Sequence, residues 1–191
     1  SPHEMEGAVI KSYVAGKLSI EPQNIVVVSI MPCTAKKFEG AREELSHENM
    51  QDVDWVLTTR ELAAMIKEAG IDFVNLKDEA FDNPLGIGSG AGAIFGTTGG
   101  VSEAALRTVF ELTSGKPLDT IEYTVVRGMT GIKENTIELP DGKLIRTAVV
   151  HGLGNARRLM EAMQRGEKSY DFMEVMACAG GCITGGGQPI V

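Results

Sequence analysis

A run of four β-branched residues constrains the fold of this chain more than any other feature. Ile25–Val28 is continuously apolar, without the alternation expected of a strand that has one face in water. Such runs are typical of strands that are covered on both faces, as in a parallel sheet. Helical patterns alternate with strand patterns along the rest of the chain. We therefore predict α/β architecture, with parallel or mixed sheets flanked by helices.

The predicted helices are marked by apolar residues at helical spacing, between a capping residue and a stopping glycine. The first has Ser1, Pro2 and Glu4 as a capping box. Its apolar face should contain Met5, Val9 and Tyr13. Three further helices follow the same logic: one after the Thr58/Glu61 capping box and ended by Gly70, one from Val101 to Gly115, and one from Leu153 to Gly166.

The predicted strands are short and rich in β-branched residues. Trp55 is expected to lie in the core. Pro140-Asp141-Gly142 indicates the turn of a hairpin. The strands that we predict are Asn24–Ile30, Trp55–Leu57, Ile121–Arg127, the two hairpin arms Thr136–Leu139 and Leu144–Val150, and Phe172–Met176.

Glycine is the over-represented residue, with 23 in 191 positions and seven of them within 86–100. This stretch contains no G-x-G-x-x-G, and the chain has no P-loop motif, so nucleotide binding has weak support. The alternative is a loop that needs positive φ angles and close backbone contact, compatible with a bulky cofactor. We expect 1–191 to form part of one domain, with a crossing between two lobes within 86–100.

Composition excludes several classes of function. The chain is 43% apolar and 23% charged, as in an ordinary globular domain. Its net charge is -8 and it has no basic run, so we expect neither nucleic acid nor an anionic membrane surface as a partner. No apolar stretch approaches the ~18 residues that a membrane span requires, and no membrane insertion is expected.

Three cysteines supply the only clear set of candidate metal ligands. Cys33 follows the first predicted strand, whereas Cys178 and Cys182 follow the last one within a glycine cluster. Ligands of open α/β sheets bind outside the carboxyl ends of strands. Thiolates among glycines suit an iron–sulfur cluster, because its sulfurs accept backbone N–H bonds, and the spacing is not the common zinc arrangement. A cubane needs four thiolates, so one ligand must come from elsewhere.

Two other interpretations of the cysteines stay open at this point. Cys33 by itself is more consistent with a small buried apolar residue than with a ligand. A nucleophilic pair of Cys33 with His151 has no local support, because no oxyanion-hole signature accompanies the cysteine.

Two long segments resemble signature motifs of the FeFe hydrogenases. Met31–Glu39 matches M-P-C-x-x-K-x-x-E, and Glu174–Pro189 matches E-x-M-A-C-x-x-G-C-x-x-G-G-G-Q-P. Shorter matches at Ser1-Pro2 and within Gly88–Val101 extend the resemblance over essentially the whole chain. The fold that it implies is part of the two-lobed H-cluster domain of that family.

The resemblance implies a role for each motif residue around an H-cluster, a 4Fe–4S cubane joined to a two-iron subsite. Cys33 and Cys178 would ligate the cubane, and Cys182 would bridge the cubane and the subsite. Lys36 would donate to a cyanide ligand. The remaining candidates would line the pocket and exclude water: Met31, Met176, Pro32 and Phe95.

The family's first motif, T-S-C-C-P-x-W, is absent, and the resemblance therefore implies a fragment. The missing upstream part would supply the fourth ligand and a proton-relay cysteine, so we expect the fragment to be apo and inactive alone. Implied partners are that N-terminal part, ferredoxin or NAD(P)H-linked modules and maturation proteins, in the bacterial cytoplasm or the periplasm. The alternative parent is a hydrogen sensor or an iron–sulfur assembly protein. Glu39 and Glu174 are expected to make structural hydrogen bonds rather than carry protons.

Overall fold

The computed structural model describes residues 1–47, 49–118, 121–122, 124–125 and 130–189. The chain divides into two compact units. The first contains residues 1–87 and the C-terminal segment from Gly185, and the second contains Gly88–Thr184. Both units mix helices with small sheets, as the α/β prediction requires. The predicted lobe crossing within 86–100 stays a prediction.

The first unit begins with a helix whose buried face differs from the predicted one. Helix α1 (Pro2–Val9) continues through a π-helical turn (Ile10–Val14) into α2 (Ala15–Leu18). The predicted apolar face is largely exposed, with Met5 at 66% and Tyr13 at 61%. Its buried residues are instead His3, Glu4, Gly7, Lys11, Val14 and Ala15.

The predicted capping box at the start of α1 is also wrong. Ser1 is the N-cap residue, but its side chain makes no capping hydrogen bond. Its hydroxyl donates to Glu39 instead. The hydroxyl oxygen accepts from the Lys36 ammonium rather than from a helix N–H. Charge-assisted hydrogen bonds are roughly twice as strong as neutral ones, which favours this arrangement.

A parallel pair of strands forms the sheet of the first unit. β1 (Val28–Met31) pairs with β4 (Trp55–Thr58), with Val28 opposite Trp55 and Met31 opposite Thr58. The parallel prediction is confirmed, but β1 starts four residues later than expected. The expectation of two covered faces is wrong, because Val28, Ile30 and Trp55 are 49%, 42% and 66% exposed. Trp55 therefore does not lie in a core.

Two helices and a short hairpin complete the first unit. Helix α3 (Ala35–Gly40) follows the first cysteine, and α4 (Thr59–Glu68) follows β4. The Thr58/Glu61 capping box is confirmed: Thr58 Oγ1 accepts from the Glu61 N–H and the Glu61 carboxylate accepts from the Thr58 N–H. The hairpin of β2 (Ser46–His47) and β3 (Met50–Gln51) was not predicted.

The second unit is built on a mixed sheet. Among the described residues its strand order is β5-β6-β7-β8, formed by β5 (Thr124–Val125), β6 (Ile132–Glu138), β7 (Leu144–His151) and β8 (Phe172–Met176). The β6–β7 hairpin and β8 are confirmed. Helix α7 (Leu153–Gln164) connects β7 to β8, which pair in parallel. Of the strand predicted at 121–127, only Thr124–Val125 is described as a strand, and residues 123, 126 and 127 lie outside the described residues.

The core of the second unit lies between the sheet and α7. Its buried members come from β6, β7 and α7, and are Ile132, Ala148, Val150, Ala156 and Leu159. Helix α6 (Gly100–Ser114) ends at Gly115, with φ 66°, as predicted. A short helix α5 (Gly90–Ile94) lies where only a loop was predicted. Among the described residues, no helix is long and apolar enough to cross a bilayer.

Replacing Gly7 by alanine should destabilise the first unit, because α1 contacts the chain after β3 without room for a side chain. A Cβ at Gly7 would lie 2.6 Å from the Asp52 carbonyl oxygen and 2.8 Å from a Val53 methyl carbon. We expect Gly7→Ala to lower the free energy of unfolding by about 1–3 kcal/mol in urea denaturation.

Gly16→Ala is the matched control for this substitution. Gly16 is also helical, but a Cβ there would meet nothing within 4 Å. Alanine should therefore stabilise the chain by roughly 0.5–1 kcal/mol. Equal effects of the two substitutions would show that the contact at Gly7 is not a tight one.

Candidate metal centre

The first cysteine lies on a loop that is fixed by a close backbone contact. Met31 is the last residue of β1, Pro32 and Cys33 follow it directly, and all three are half-buried. The Gly187 N–H donates to the Pro32 carbonyl at 2.8 Å. A Cβ at Gly187 would lie 2.9 Å from that same oxygen, so no side chain fits there. The glycines at the end of the chain therefore pack directly against the Met-Pro-Cys loop.

Arg60 at the start of α4 also holds the glycine segment, through two hydrogen bonds. Its backbone N–H donates to the Gly187 carbonyl at 3.2 Å. Its guanidinium donates to the Gly186 carbonyl at 3.0 Å. The position of the first cysteine loop thus depends on residues more than 120 positions away in the sequence.

A charged cluster lies at the start of α1 and on α3. Lys36 Nζ donates to Ser1 Oγ at 2.8 Å and to the Glu39 carboxylate. Burial alone would raise the pKa of Glu39, but hydrogen bonds, the first of them from Lys36, lower it to about 2. Glu39 is therefore a firmly ionised acceptor, which agrees with the structural role predicted for it.

Lys36 and Lys37 have different surroundings although they are adjacent. The Lys36 side chain is 17% exposed and that of Lys37 is 43% exposed. Lys37 donates to the Val56 carbonyl at 2.8 Å and pairs with Glu61 at 2.9 Å. An ammonium has three N–H donors, and two on Lys36 are directed at Ser1 and Glu39. The third is available to another acceptor.

A buried pair beside this cluster was not predicted. His3 Nε2 lies 2.8 Å from Ser29 Oγ, and its Nδ1 lies 3.0 Å from the Glu4 carboxylate. Burial lowers the pKa of His3. Burial, together with Glu39 and Asp52, raises the pKa of Glu4. His3 Nδ1 and both carboxylate oxygens of Glu4 are buried without a hydrogen-bond partner among the described residues. The sequence offered no signal, because a histidine and a glutamate side by side on a helix are common.

The other two cysteines share one tight turn in the second unit. Gly180 and Gly181 lie between them with φ of 85° and 100°, angles that side chains rarely adopt. A Cβ at Gly181 would lie 2.5 Å from the Gly96 carbonyl oxygen. Glycine is thus required both for the turn and for the contact.

Residues 96–98 form the support of this turn. The Thr98 N–H donates to the Gly180 carbonyl at 3.1 Å, and the Ile183 N–H donates to the Gly96 carbonyl at 3.1 Å. Phe95, predicted to exclude water from a cofactor, directly precedes this support and is half-buried. The sequence predicted close backbone contact for the glycines within 86–100. It did not predict that this segment supports the cysteine turn.

Glu174 connects the strand before this turn to the start of α6. It is 5% exposed, and its carboxylate accepts from the backbone N–H groups of Gly99 at 2.6 Å and Ser102 at 2.7 Å. These are donors at a helix N-terminus, where a negative charge is favourable. Glu174 therefore fixes β8 against α6, in agreement with the structural hydrogen bond predicted for it.

The predicted site residues fall into two sets. Met31, Pro32, Cys33 and Lys36 lie in the first unit, within six residues of one another in sequence. The second unit holds Phe95, Met176, Cys178 and Cys182. Cys182 Sγ lies 3.8 Å from Met176 Sδ.

The three cysteines, all within the described residues, are half-buried thiols and not disulfides. Soft thiolate and thioether groups on glycine-lined loops suit iron–sulfur chemistry better than hard cations. The sulfur ligands that each loop offers therefore fit the iron–sulfur cluster that the sequence predicted.

Comparison with known proteins agrees with this chemistry. Residues 1–186 match the family described as "Iron only hydrogenase large subunit, C-terminal domain". The NADP-reducing hydrogenase subunit HndD of Solidesulfovibrio fructosivorans is 52% identical over 99% of this chain and 32% of its own length. The periplasmic [Fe] hydrogenase large subunit of Nitratidesulfovibrio vulgaris is 48% identical over 100% of this chain and 45% of its own length.

Solved structures and more distant relatives complete the comparison. The structure of the [FeFe]-hydrogenase HydA1 from Chlamydomonas reinhardtii matches with a TM-score of 0.84 and 43% identity, over 100% of this chain and 55% of that one. The cytosolic Fe-S cluster assembly factor narfl of Danio rerio is 32% identical over 98% of this chain and 47% of its own length. The chain thus spans between a third and a half of the curated relatives that it matches.

Replacing Glu39 by glutamine should remove the part of the free energy of unfolding that depends on an ionised carboxylate at this position. The pKa of Glu39 is lowered from its ordinary value near 4.5 to about 2. Its stabilisation is therefore fully present above pH 4.5 and is lost as the pH falls to 2. We expect Glu39→Gln to cost about 2–3 kcal/mol above pH 4.5 and almost nothing near pH 2, measured by urea denaturation of the 191-residue chain. Glu68→Gln, at an exposed position on α4, is the control, and a difference that does not vary with pH would contradict the assignment.

Glutamine at position 174 should destabilise the second unit. Its amide keeps one acceptor oxygen but directs an NH2 group at one of the two backbone donors. We expect Glu174→Gln to cost about 1–3 kcal/mol in urea denaturation. Glu138→Gln on the exposed side of β6 should change the free energy of unfolding by less than about 0.5 kcal/mol. If the two variants unfold alike, the Glu174 contacts do not fix β8 to α6.

Proposed function

The chain belongs to the iron-only hydrogenase family, as the C-terminal domain of the large subunit, and on that premise we propose that it forms part of the catalytic domain of an FeFe hydrogenase. The proposed reaction of the whole enzyme is the reversible combination of two protons and two electrons to dihydrogen. The observation that carries the proposal is the pair of cysteine loops, each held by a glycine that excludes a side chain, at Gly187 and Gly181.

The donor set fits an H-cluster whose fourth ligand comes from outside this chain. Cys33, Cys178 and Cys182 would hold it through thiolates, with Cys182 as the bridge to the two-iron subsite. The close glycine contacts support this assignment, because they bring backbone rather than side chains to the cysteine loops, and backbone N–H groups are the donors that cluster sulfurs accept. When bound, the cluster supplies the electron transfer and the hydrogen chemistry, which belong to the cofactor and not to the protein.

The other residues of the two motifs bind, orient and exclude water. Lys36 would direct its third N–H at an anionic cyanide ligand, while Ser1 and Glu39 hold its ammonium in place. Met31 and Met176 would contact the subsite with soft, adaptable side chains. Pro32 and Phe95 would keep water out. The partial burial of Lys36, compared with its exposed neighbour Lys37, supports the choice between the two lysines.

We further propose that this chain is inactive without the rest of its domain. Three thiolates bind a cubane poorly, and the proton-relay cysteine of the family's first motif is not among its residues. The partners would be the remaining N-terminal part of the domain, ferredoxin or NAD(P)H-linked electron-transfer modules, and maturation proteins. The relative that is named as an NADP-reducing hydrogenase subunit supports a nicotinamide-linked module.

A hydrogen sensor or an iron–sulfur assembly protein is the alternative parent. The assembly factor of Danio rerio supports the second of these, but its 32% identity compares with 52% and 48% for the two hydrogenases. Lys36 favours catalysis, because a protein that only carries a 4Fe–4S cluster has no cyanide for an ammonium to bind.

Alanine at position 36 in the longer hydrogenase tests the proposal. A hydrogen bond from a charged donor contributes about 1.5–3 kcal/mol, so Lys36→Ala should lower hydrogen turnover by roughly ten- to a hundredfold. Lys37→Ala is the matched control and should leave turnover almost unchanged. Iron content should stay equal in both variants, because neither lysine is a ligand. Unchanged turnover in Lys36→Ala would remove Lys36 from the proposed site.

The 191-residue chain provides the second arm of the same experiment. It would be reconstituted anaerobically with iron and sulfide, given a synthetic diiron complex, and assayed for hydrogen evolution. We expect no turnover. Turnover comparable to that of the longer enzyme would show that this chain needs no further part of the domain.

A further inference from the structure

Three potential metal ligands of the first unit, none of them a cysteine, converge at the start of α1. They are the imidazole of His3, the carboxylate of Glu4 and the carboxylate of Glu39 on α3, and each offers a ligand atom within 4.8 Å of the other two. We call these residues the His-Glu-Glu cluster. A mixed set of imidazole and carboxylate ligands suits first-row divalent ions such as Zn²⁺.

Two members of the cluster are buried with their ligand atoms unpartnered. The side chains of His3 and Glu4 are 3% and 6% exposed. His3 Nδ1 and both carboxylate oxygens of Glu4 have no hydrogen-bond partner among the described residues. Buried polar atoms are nearly always paired, because burial without a partner is costly. Three such atoms in one cluster therefore indicate a ligand that contacts all of them.

The other ring nitrogen of His3 is held as in a metal-bound histidine. His3 Nε2 lies 2.8 Å from Ser29 Oγ on β1. Histidines that bind a metal through one ring nitrogen almost always form a hydrogen bond through the other, which fixes the orientation of the ring. The contact with Ser29 thus leaves Nδ1 as the nitrogen that faces the two carboxylates.

The distances within the cluster suit a single ion. Zinc lies about 2.0–2.2 Å from nitrogen and carboxylate oxygen ligands, so two atoms that bind the same ion are at most ~4.4 Å apart. His3 Nδ1 lies 3.0 Å from Glu4 Oε1 and 4.0 Å from Glu39 Oε1, both within this limit. Since no pair of ligand atoms is more than 4.8 Å apart, side-chain movements of a few tenths of an ångström would complete the site.

The charges around the cluster also favour a cation. Burial raises the pKa of Glu4, the carboxylates of Glu39 and Asp52 raise it further, and Lys36 opposes them more weakly. A carboxylate in such surroundings keeps its proton until a cation replaces it, and metal ions bind by displacing protons. Glu39 can serve an ion and Lys36 together, because Lys36 contacts its Oε2 whereas His3 approaches its Oε1.

We propose that His3, Glu4 and Glu39 bind one divalent first-row metal ion, at a mononuclear site separate from the H-cluster proposed above. His3 contributes Nδ1, each glutamate contributes a carboxylate oxygen, and water completes the coordination. The ion shares Glu39 with Lys36 and therefore lies beside the side chain that we assign to the cyanide ligand. The inference rests on contacts within the first unit and does not require the proposed hydrogenase activity.

Zinc binding to the 191-residue chain tests the proposal. Cys33, Cys178 and Cys182 are replaced by serine in every protein of the experiment, so that thiolates do not compete for the ion, and circular dichroism checks the fold. Isothermal titration calorimetry with zinc chloride should give one ion per chain. Saturating zinc should raise the Tm by several degrees, because an ion that binds only the folded chain stabilises it.

Removal of single ligands locates the ion. His3→Gln and Glu4→Gln should each weaken zinc binding at least about tenfold, and Ser29→Ala by roughly ten- to a hundredfold, as loss of an outer hydrogen bond to a ligating histidine does. Without zinc, Glu4→Gln should not lower the Tm, because it removes a buried carboxylate that has no partner. A residue needed only for packing would lower the Tm with and without zinc alike.

The matched control is the other histidine of the first unit that faces a carboxylate. His47 Nδ1 lies 2.9 Å from Asp52 Oδ2, but the His47 side chain is 70% exposed. His47→Gln should therefore leave the zinc affinity almost unchanged. Glu6→Gln, at an exposed position on α1, should do the same.

Three results would overturn the proposal. The first is the absence of saturable zinc binding by the folded chain, which would leave a proton as the only partner of His3 and Glu4. The second is equal zinc affinity of Glu4→Gln and the parent chain, and this variant decides the matter if His3→Gln fails to fold. The third is loss of binding in His47→Gln but not in His3→Gln. Hydrogen turnover enters none of these measurements, so the proposed function is tested separately.

Discussion

Close approach of backbone to backbone at two glycines is the constraint on which the candidate site depends. Gly187 lies against Pro32 in the first unit, and Gly181 lies against Gly96 in the second. Each contact is too short for any Cβ, and each fixes a loop that carries a cysteine. A rigid thiol position is what a metal cluster needs, because its ligands must be held within a narrow range of geometry. The glycines therefore act on the site through packing.

The ionisable side chains near the Met-Pro-Cys loop differ in their charge state because their surroundings differ. Hydrogen bonds from Lys36 and Ser1 keep Glu39 ionised, and Glu39 in turn holds the Lys36 ammonium half-buried. A few ångströms away, burial favours neutral His3 and protonated Glu4. Two glutamates on neighbouring helices thus have opposite pKa shifts because one has donors and the other has not. An ammonium that is neutralised on one side only can still bind a further anion on the other.

Local sequence signals predicted most of the secondary structure but not the side of each element that is buried. The Thr58/Glu61 capping box, the hairpin turn at Gly142 and the helix end at Gly115 depend on neighbours in sequence, and all three were found as predicted. The buried face of α1 depends on what lies opposite, which is Asp52 and Val53 at Gly7. The long motifs located the cysteines. The contacts of Ser1 with Glu39, of His3 with Ser29 and of residues 96–98 with the cysteine turn were not predicted, because they join positions far apart in the chain.

The wrong predictions of burial share one physical cause. Met5, Ile30 and Trp55 were all expected inside, and all three are exposed. Periodic apolar residues record every surface that is buried in the complete domain, including surfaces that meet residues outside this chain. The chain spans only a third to a half of its curated relatives. Apolar spacing alone does not distinguish a face that packs within these 191 residues from one that packs against another part of a longer protein.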